Sequence, residues 1–411
     1  MSARWLDQPD HVRWLSDQFA RQLAFGRAFP HPDGGSAYLG ADGRPDPTQP
    51  VHTWITARML HVYSLGGLAG LPGCAPLAER ALAGLTGQLR DAEHGGWYAS
   101  VGPDAGQVDG TKAAYAHAFV VFAASSAAVA GLPGADALLA EALDVLDRRF
   151  WEPEHGLHRD SAPADWSSFS AYRGVNANMH AVEALLSASD TTGEGEWLDR
   201  ARRITETVLG WAADNDWRIP EHFDPDWRPL LEHHRDQPDH PFEPYGATVG
   251  HGLEWARLAL HVRAALGPDA GATGESLLAG ARALFERGVA DGWHADGAEG
   301  FVYTTDWSGR PVVSQRMHWV AAEAISAAAA LAAATGDEQY EHWYRRVWDY
   351  AQRHLVQDDG AWLHELDPQN RPAATVWPGR PDLYHSVHAV LLPRLPLAPS
   401  APTALARGLW R

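Results

Sequence analysis

One unit of about 60 residues recurs along the chain, and each copy contains two amphipathic segments followed by a glycine–aromatic turn. The apolar residues of these segments follow i, i+3, i+4 and i+7 spacing, which predicts helices. The predicted helices span 8–26, 50–70, 75–90, 113–131, 135–149, 176–189, 196–212, 250–266, 273–289, 315–334, 337–355 and 382–392. Because an open solenoid usually has shorter units and polar capping repeats, six pairs of this size predict an all-α, closed (α/α)₆ barrel.

The turns between the helix pairs combine glycine with an aromatic or imidazole side chain. They include 34–38, 95–98, 156–158, 216–218, 300–303 and 360–364. Each predicts a short β-hairpin or an extended loop, and we expect these loops at the mouth of an active site. Since no Pro-, Gly- or Ser-rich linker divides the chain, we expect 1–411 to form a single domain.

Composition excludes several classes of partner. The formal net charge is −19 at pH 7, whereas nucleic acid and anionic membranes attract a basic surface. The single cysteine, Cys74, excludes an internal disulfide. The first residues contain no apolar signal region, and no later stretch has the length of a membrane span. We therefore expect a cytoplasmic protein whose partner is a small molecule, with no membrane or nucleic-acid partner.

Polar and aromatic side chains gather near the N-terminal ends of every second predicted helix. In helix order the clusters are His52, Trp54 and Arg58; Tyr115 and His117; Asn176 and His180; His251, Glu254 and Trp255; Arg316, His318 and Trp319; and Tyr384, His385 and His388. The alternate helices carry charged surface patterns such as Arg200–Arg203. If the even helices form the inner ring, the clusters converge on one mouth of the barrel.

These residue types suit proton transfer on a sugar. Exchange between an aldose and a ketose moves a proton between C1 and C2 through an enediol, which needs a base that titrates near neutral pH. Histidine meets that need. Arginine can stabilise the developing oxyanion, and Trp or Tyr can pack against the apolar face of a sugar ring.

Each residue also has a purely structural interpretation. His251 and Glu254 are spaced i, i+3 and could form a hydrogen bond that only supports the helix. Arg58 could pair with a buried carboxylate, and His385 alone could be a core histidine. The interpretation of a site therefore depends on several residues that share matching helix ends.

Other histidines fit a site less well. His233, His234 and His240 lie in a Pro- and Asp-rich segment, where we expect surface positions. His385 and His388 share i, i+3 spacing but have no accompanying cysteine or acidic pattern, so the sequence predicts no zinc site.

Long motifs resemble those of the N-acylglucosamine 2-epimerase superfamily, and within it the bacterial mannose isomerases and sulfoquinovose isomerases. The resemblance covers nearly the whole chain. The motifs are 52–63, 95–99, 176–184, Glu221–Asp224, Gly250–Trp255, Asp382–His385 and 393–399. The resemblance implies an (α/α)₆ barrel and a sugar isomerase that needs no metal or nucleotide.

The resemblance also implies roles for nine residues. His251 and His385 would carry protons at C1 and C2, and Arg58 would contact sugar oxygens. His180 would open the ring or hold O1, and Glu254 would orient a histidine or a sugar hydroxyl. The substrate-binding set is completed by Trp54, Tyr115, Asn176 and Trp319.

Three positions differ from the sulfosugar branch. His364 and Pro381 occupy places where that branch carries glutamine, and Glu243 lies in a stretch that is basic there. We therefore predict a neutral substrate: D-mannose converted to D-fructose through a cis-enediol, with D-lyxose and D-xylulose as a side activity. We expect a monomer or a weak homo-oligomer.

Other functions stay open at this point. A sugar 2-epimerase of the mannose/glucose or N-acylglucosamine type could use the same two histidines, and a sulfoquinovose isomerase belongs to the same branch. A hydrolase or lyase would need paired carboxylates, whereas these clusters are rich in histidine. A non-enzymatic sugar-binding protein would explain the aromatics but not two histidines beside an arginine.

Overall fold

The computed structural model describes residues 4–103 and 107–410, and over these residues it contains thirteen α-helices. They are α1 Pro9–Phe25, α2 Thr53–Leu68, α3 Cys74–Thr86, α4 Ala114–Val129, α5 Ala135–Val145, α6 Val175–Thr192, α7 Gly195–Asp214, α8 Val249–Leu266, α9 Gly271–Gly292, α10 His318–Thr335, α11 Glu338–His354, α12 Tyr384–Leu391 and α13 Ala401–Ala406. The first twelve correspond to the predicted helices. The short α13 was not predicted.

The even-numbered helices form a closed inner ring. Each of α2, α4, α6, α8, α10 and α12 packs against the next, and α12 packs against α2. The odd-numbered helices lie outside: α3, α5, α7, α9 and α11 each pack on the inner helix that precedes them, and α1 packs on α12. The predicted (α/α)₆ barrel is confirmed.

Side-chain composition explains which helices are inside. Helices α4 and α10 are buried around almost their whole circumference, as expected of helices that are apolar on every face. The alanine run 327–330 of α10 keeps that helix thin and favours helical backbone. Helix α11, by contrast, is buried only along the stripe that contains Tyr340, Tyr344, Val347 and Ala351.

Short strands join neighbouring units at one end of the barrel. They are β1 Val51–His52, β2 Ser100–Val101, β3 Val108–Asp109, β4 Lys112–Ala113, β5 Trp151–Glu152, β6 Leu157–His158, β7 Ser161–Ala162, β8 Arg173–Gly174, β9 His222–Phe223, β10 Ala247–Thr248, β11 Thr304–Thr305, β12 Pro311–Val313, β13 Arg316–Met317, β14 Glu365–Leu366 and β15 Pro372–Ala373. The pairs β2–β3, β5–β6, β11–β12 and β14–β15 are hairpins. The β5–β6 hairpin contains the predicted segment 156–158, and the other three begin just after the predicted segments 95–98, 300–303 and 360–364.

Each of β1, β4, β8, β10 and β13 leads directly into an inner helix and pairs antiparallel with a strand of the following connection. In the first of these pairs His52 lies opposite Ser100. The pairing holds the N-terminal ends of the inner helices in a ring, which is where the polar clusters lie.

The C-terminal segment covers the opposite end of the barrel. Helix α13 packs against α2, α4 and α6. Within the described residues no helix is both long and apolar enough to cross a bilayer.

Candidate active site

A cavity opens at the loop end of the barrel, at the N-terminal ends of the inner helices. It encloses about 660 Å³, counted out to its open mouth. All nine residues predicted from the sequence line it: Trp54, Arg58, Tyr115, Asn176, His180, His251, Glu254, Trp319 and His385. The loops and neighbouring positions add Pro241, Phe242, Pro244, Tyr303, His318, His364, Trp377, Pro381 and Asp382.

Two histidines of the pocket are each held by a buried carboxylate. His251 Nδ1 lies 3.0 Å from Glu221 Oε2, and His385 Nδ1 lies 2.8 Å from Glu323 Oε1. Because a carboxylate can only accept, each Nδ1 carries the proton and donates it. The Nε2 of each ring is then the unprotonated nitrogen available to a ligand in the pocket.

Trp319 lies between these two imidazoles. Its ring centroid is 5.3 Å from that of His251 and 5.7 Å from that of His385. The indole therefore offers an apolar face to a sugar ring, with a histidine on each side.

Arg58 is fixed by hydrogen bonds on both of its terminal nitrogens. Nη1 donates to Asp382 Oδ2 at 3.1 Å, and Nη2 donates to Tyr115 Oη at 2.8 Å. The guanidinium carbon also lies 5.0 Å from the centroid of the Trp54 ring. The structural interpretation of Arg58, a pair with a buried carboxylate, is thus correct, and the residue lines the pocket as well.

Beneath the pocket, one arginine donates hydrogen bonds to three glutamates. Arg257 donates to Glu323 at 2.8 Å, to Glu183 at 2.9 Å and to Glu254 at 3.3 Å. Burial and the neighbouring Glu323 charge raise the pKa of Glu254 well above its usual value. Burial opposes ionisation of Glu323 too, but the Arg257 charge and the bond from His385 lower its pKa to about 2. Glu323 is therefore ionised, and Glu254 holds the proton of the group.

Burial favours the neutral form of three pocket histidines, His385, His180 and His364. Burial lowers the pKa of His385, although the Glu323 carboxylate partly opposes that shift. Burial, together with the Arg58 charge, lowers the pKa of His180 well below its usual value, and burial lowers that of His364 to about 4. Neutral imidazoles can accept a proton at pH 7, as a general base must.

Several buried polar atoms that line the pocket lack a partner among residues 4–103 and 107–410. They are Asn176 Oδ1, His180 Nδ1, His318 Nε2 and His364 Nδ1. Of these atoms, His180 Nδ1 lies 3.9 Å from Glu254 Oε1, which is too far for a hydrogen bond. Since buried polar groups are normally hydrogen-bonded, this wall is suited to a ligand that carries many hydroxyl groups.

Some residues of the predicted clusters face elsewhere. Arg316 belongs to β13 and binds Asp296 at 2.7 Å. His117 packs at the side of the barrel, where its Nε2 accepts from the Trp97 backbone N–H at 3.1 Å. His388 lies deeper in the barrel and contacts His61 at 2.9 Å. The sequence pattern identified the helix ends at which the pocket lies. It could not show which face of each helix end points into the pocket.

Glu243, one of the three departures from the sulfosugar branch, lies beside the pocket without lining it. Its neighbours Phe242 and Pro244 line the pocket, but its carboxylate is turned away to His233 Nε2 at 2.7 Å. His364 and Pro381, the other two departures, do lie in the pocket wall.

Sequence reasoning assigned no role to the carboxylates that hold the site together. Glu221 was seen only as part of a motif, and Glu323 was overlooked. A usable signal existed, because Glu323 is the one charged residue of α10. Glu221, not Glu254, holds His251, since three residues along one helix do not decide which partner the ring meets.

The closed ring of helix pairs, with carboxylate-held histidines at its loop end, places the chain among (α/α)₆-barrel proteins with a histidine-lined pocket. More specifically, the chain belongs to the N-acylglucosamine 2-epimerase family, which residues 34–389 match.

Similar proteins with established names support this assignment. The chain is 51% identical over 405 residues to the D-mannose isomerase of Thermobifida fusca, with 98% of each chain covered. It is 45% identical over 404 residues to that of Pseudomonas cannabina pv. alisalensis, covering 98% of this chain and 97% of the relative. A solved structure of a D-mannose isomerase superposes with a TM-score of 0.85 at 28% identity, covering 92% of this chain and 96% of that one.

Proposed function

We propose that this protein is an aldose–ketose isomerase that interconverts D-mannose and D-fructose, with D-lyxose and D-xylulose as a side activity. The observation that carries the proposal is the pair of carboxylate-held imidazoles on either side of Trp319, beside Arg58. The full-length similarity to two D-mannose isomerases agrees with it.

The first step opens the sugar ring. The ring oxygen must gain a proton while the O1 hydroxyl loses one. His180 Nδ1 and the protonated Glu254 lie 3.9 Å apart at the pocket wall, so they form an acid and a base that can exchange these protons. The open-chain aldehyde then lies beside Arg58.

The second step moves hydrogen between carbons. The Nε2 of one of the two histidines removes the proton from C2, and the electrons of the C2–H bond form the C1=C2 double bond of a cis-enediol. Negative charge develops on O1, where the fixed guanidinium of Arg58 stabilises it. The other histidine carries the O2 proton to O1, and the first histidine returns its proton to C1, which gives the C2 ketone and leaves both imidazoles neutral.

The pocket favours a neutral sugar. Among the described residues that line it, Arg58 is the one guanidinium or ammonium group, and Asp382 is its direct partner. A sulfonate would need further cationic donors, but His364, which lines the pocket, has a pKa lowered by burial to about 4 and is uncharged at pH 7. These features support mannose over sulfoquinovose.

Other expectations from the sequence stay predictions. They are activity without metal or other cofactor, a cytoplasmic location, a single domain over 1–411, and a monomeric or weakly associated state. The roles assigned to the nine site residues are also proposals.

The first experiment is incubation of the purified chain with D-mannose in D₂O, with and without EDTA, followed by NMR. Fructose in both samples supports the proposal and metal independence, and deuterium at C1 or C2 reports exchange of the enediol proton with solvent. Glucose in place of fructose would establish the 2-epimerase alternative. If mannose and lyxose are both unchanged while sulfoquinovose reacts, the substrate assignment is wrong. Sugar binding without any turnover would identify a binding protein.

A further inference from the structure

A histidine cluster lies on the loop that forms one wall of the pocket mouth. We use this name for His233, His234, His240 and Glu243. The imidazole centroids of His233 and His234 are 4.0 Å apart, and those of His234 and His240 are 4.5 Å apart. Neighbouring residues of the same loop, Pro241, Phe242 and Pro244, line the pocket. The isomerase reaction uses none of the cluster.

Three possible ligand atoms of the cluster point at one another. Glu243 Oε2 is 2.7 Å from His233 Nε2 and 3.8 Å from His234 Nδ1, and all three atoms lie within 4.8 Å of one another. In a tetrahedral zinc site, with bonds of about 2.0–2.2 Å, neighbouring ligand atoms are about 3.3–3.5 Å apart. These two separations bracket that value, so small shifts of the side chains would bring the three atoms to the spacing of a tetrahedral site.

The surroundings allow an ion to enter. The His233, His234 and Glu243 side chains are 22%, 26% and 31% exposed, so water can supply a fourth ligand. His240 supports the site from behind, because its Nδ1 accepts the Glu243 backbone N–H at 3.0 Å. Two existing hydrogen bonds would have to be exchanged for metal bonds. His233 Nε2 is now bonded to Glu243 Oε2 at 2.7 Å, and His234 Nδ1 to the Glu243 carbonyl at 2.8 Å.

A second group of possible ligands serves as a contrast. Glu254, Glu323 and His385 also bring ligand atoms within 4.8 Å, but Arg257 donates to both of these carboxylates. A cation there would have to displace a buried guanidinium. Within the described part of the chain, no arginine or lysine pairs with the Glu243 carboxylate, whose ion-pair partners are the His233 and His234 side chains.

We propose that His233, His234 and Glu243 bind a divalent transition metal of the Zn²⁺ type, and that the bound ion fixes the loop that carries Phe242. Two imidazoles and one carboxylate form a donor set that suits Zn²⁺, and hard ions such as Mg²⁺ prefer oxygen ligands. Phe242 is 43% exposed and packs edge-on to Trp377 with centroids 5.1 Å apart. Because Glu243 follows Phe242 in the chain, an ion on Glu243 restrains the phenyl ring at the mouth.

The test measures binding before activity. Full-length protein, freed of metal with EDTA and dialysed, is titrated with Zn²⁺ at pH 7.5 by calorimetry, alongside the His233→Gln/His234→Gln double variant. His155→Gln is the matched control, because His155 is an exposed histidine of another loop. We expect one Zn²⁺ per chain in the wild type and the control, and affinity at least about tenfold weaker in the double variant. Equal affinity in all three proteins, or no stoichiometric binding, would overturn the site.

A second measurement tests the effect on the loop. Hydrogen exchange of peptides that cover 231–244 should slow when Zn²⁺ is added to the wild type, and should not change in Glu243→Gln. Stoichiometric binding with unchanged exchange would overturn the loop half of the proposal and leave the metal site. Neither measurement requires turnover, so both are independent of the isomerase assignment.

Discussion

The two histidines that flank Trp319 are held by different parts of the barrel. Glu323, which holds His385, lies within inner helix α10 and also accepts from Arg257 at 2.8 Å. Glu221, which holds His251, lies in a loop just before β9, and its second oxygen has no partner among the described residues. His385 therefore belongs to a charge network inside the ring, whereas His251 is oriented by a single bond. We expect the two sides of the pocket to respond differently to the same substitution.

The largest expected effects come from removing either imidazole. His251→Ala and His385→Ala should each lower kcat by about 10²–10⁴, the usual contribution of a general acid–base group. The measurement is initial rate of fructose formation from D-mannose, with sugar binding followed separately by calorimetry. His155→Ala is the control. Unchanged turnover in both variants would disprove the proposed chemistry.

Substitution of Glu323 and of Glu221 should affect the two sides of the pocket differently. Glu323→Gln removes the charge that both His385 and Arg257 use, so kcat should fall and the free energy of unfolding should drop by about 1.5–3 kcal/mol. Glu221→Gln should also lower kcat, but its cost in stability should be under about 1 kcal/mol, since Glu221 makes one side-chain hydrogen bond. Urea denaturation of both variants supplies the comparison. Equal losses of unfolding free energy in the two variants would show that the bonds of Glu323 inside the helical ring stabilise the fold no more than the single bond of Glu221 does.

The smallest effect is a shift in pH dependence. The pKa of His385 is lowered by burial and partly restored by Glu323. Neutral His385 is required, so kcat/KM should fall only below the ordinary histidine pKa of about 6.5. Loss of the Glu323 charge lowers the pKa of His385 further, so in Glu323→Gln the acid limb should move to lower pH.

The pH profile has a matched control in Glu221→Gln, which leaves the neighbours of His385 unchanged. In this variant, the fall of kcat/KM at low pH that reports protonation of His385 should occur at the same pH as in the wild type. An acid limb of Glu323→Gln that moved to higher pH would show that Glu323 does not stabilise the imidazolium of His385.

The helices, and the helix ends at which a site could form, were predictable from the local sequence. Helix α10 was predictable from its alanine-rich apolar run, and α11 from its single apolar stripe, because burial on all sides and burial on one side leave different periodicities. Helix α13 was missed, since its six residues, Ala401–Ala406, are too few to show a period.

The site was predictable as a set of residues but not as a set of bonds. Trp54, Arg58 and His385 could be selected because polar groups at the ends of otherwise apolar helices are costly unless they have a purpose or a partner. The Glu243 carboxylate could not be placed, because one rotation of a loop residue decides whether it faces the pocket or His233.

By itself, the sequence determined the six helix pairs, the ring they close and the nine residues that line one cavity, because periodicity and composition are properties of neighbouring residues. Only the tertiary structure decided that Glu221 meets His251, that Glu323 meets His385 and that Glu254 keeps a proton beside Arg257. Glu221 and His251 are 30 positions apart and Glu323 and His385 are 62 apart. Their distances, and the burial that sets their charges, exist only once the ring has closed.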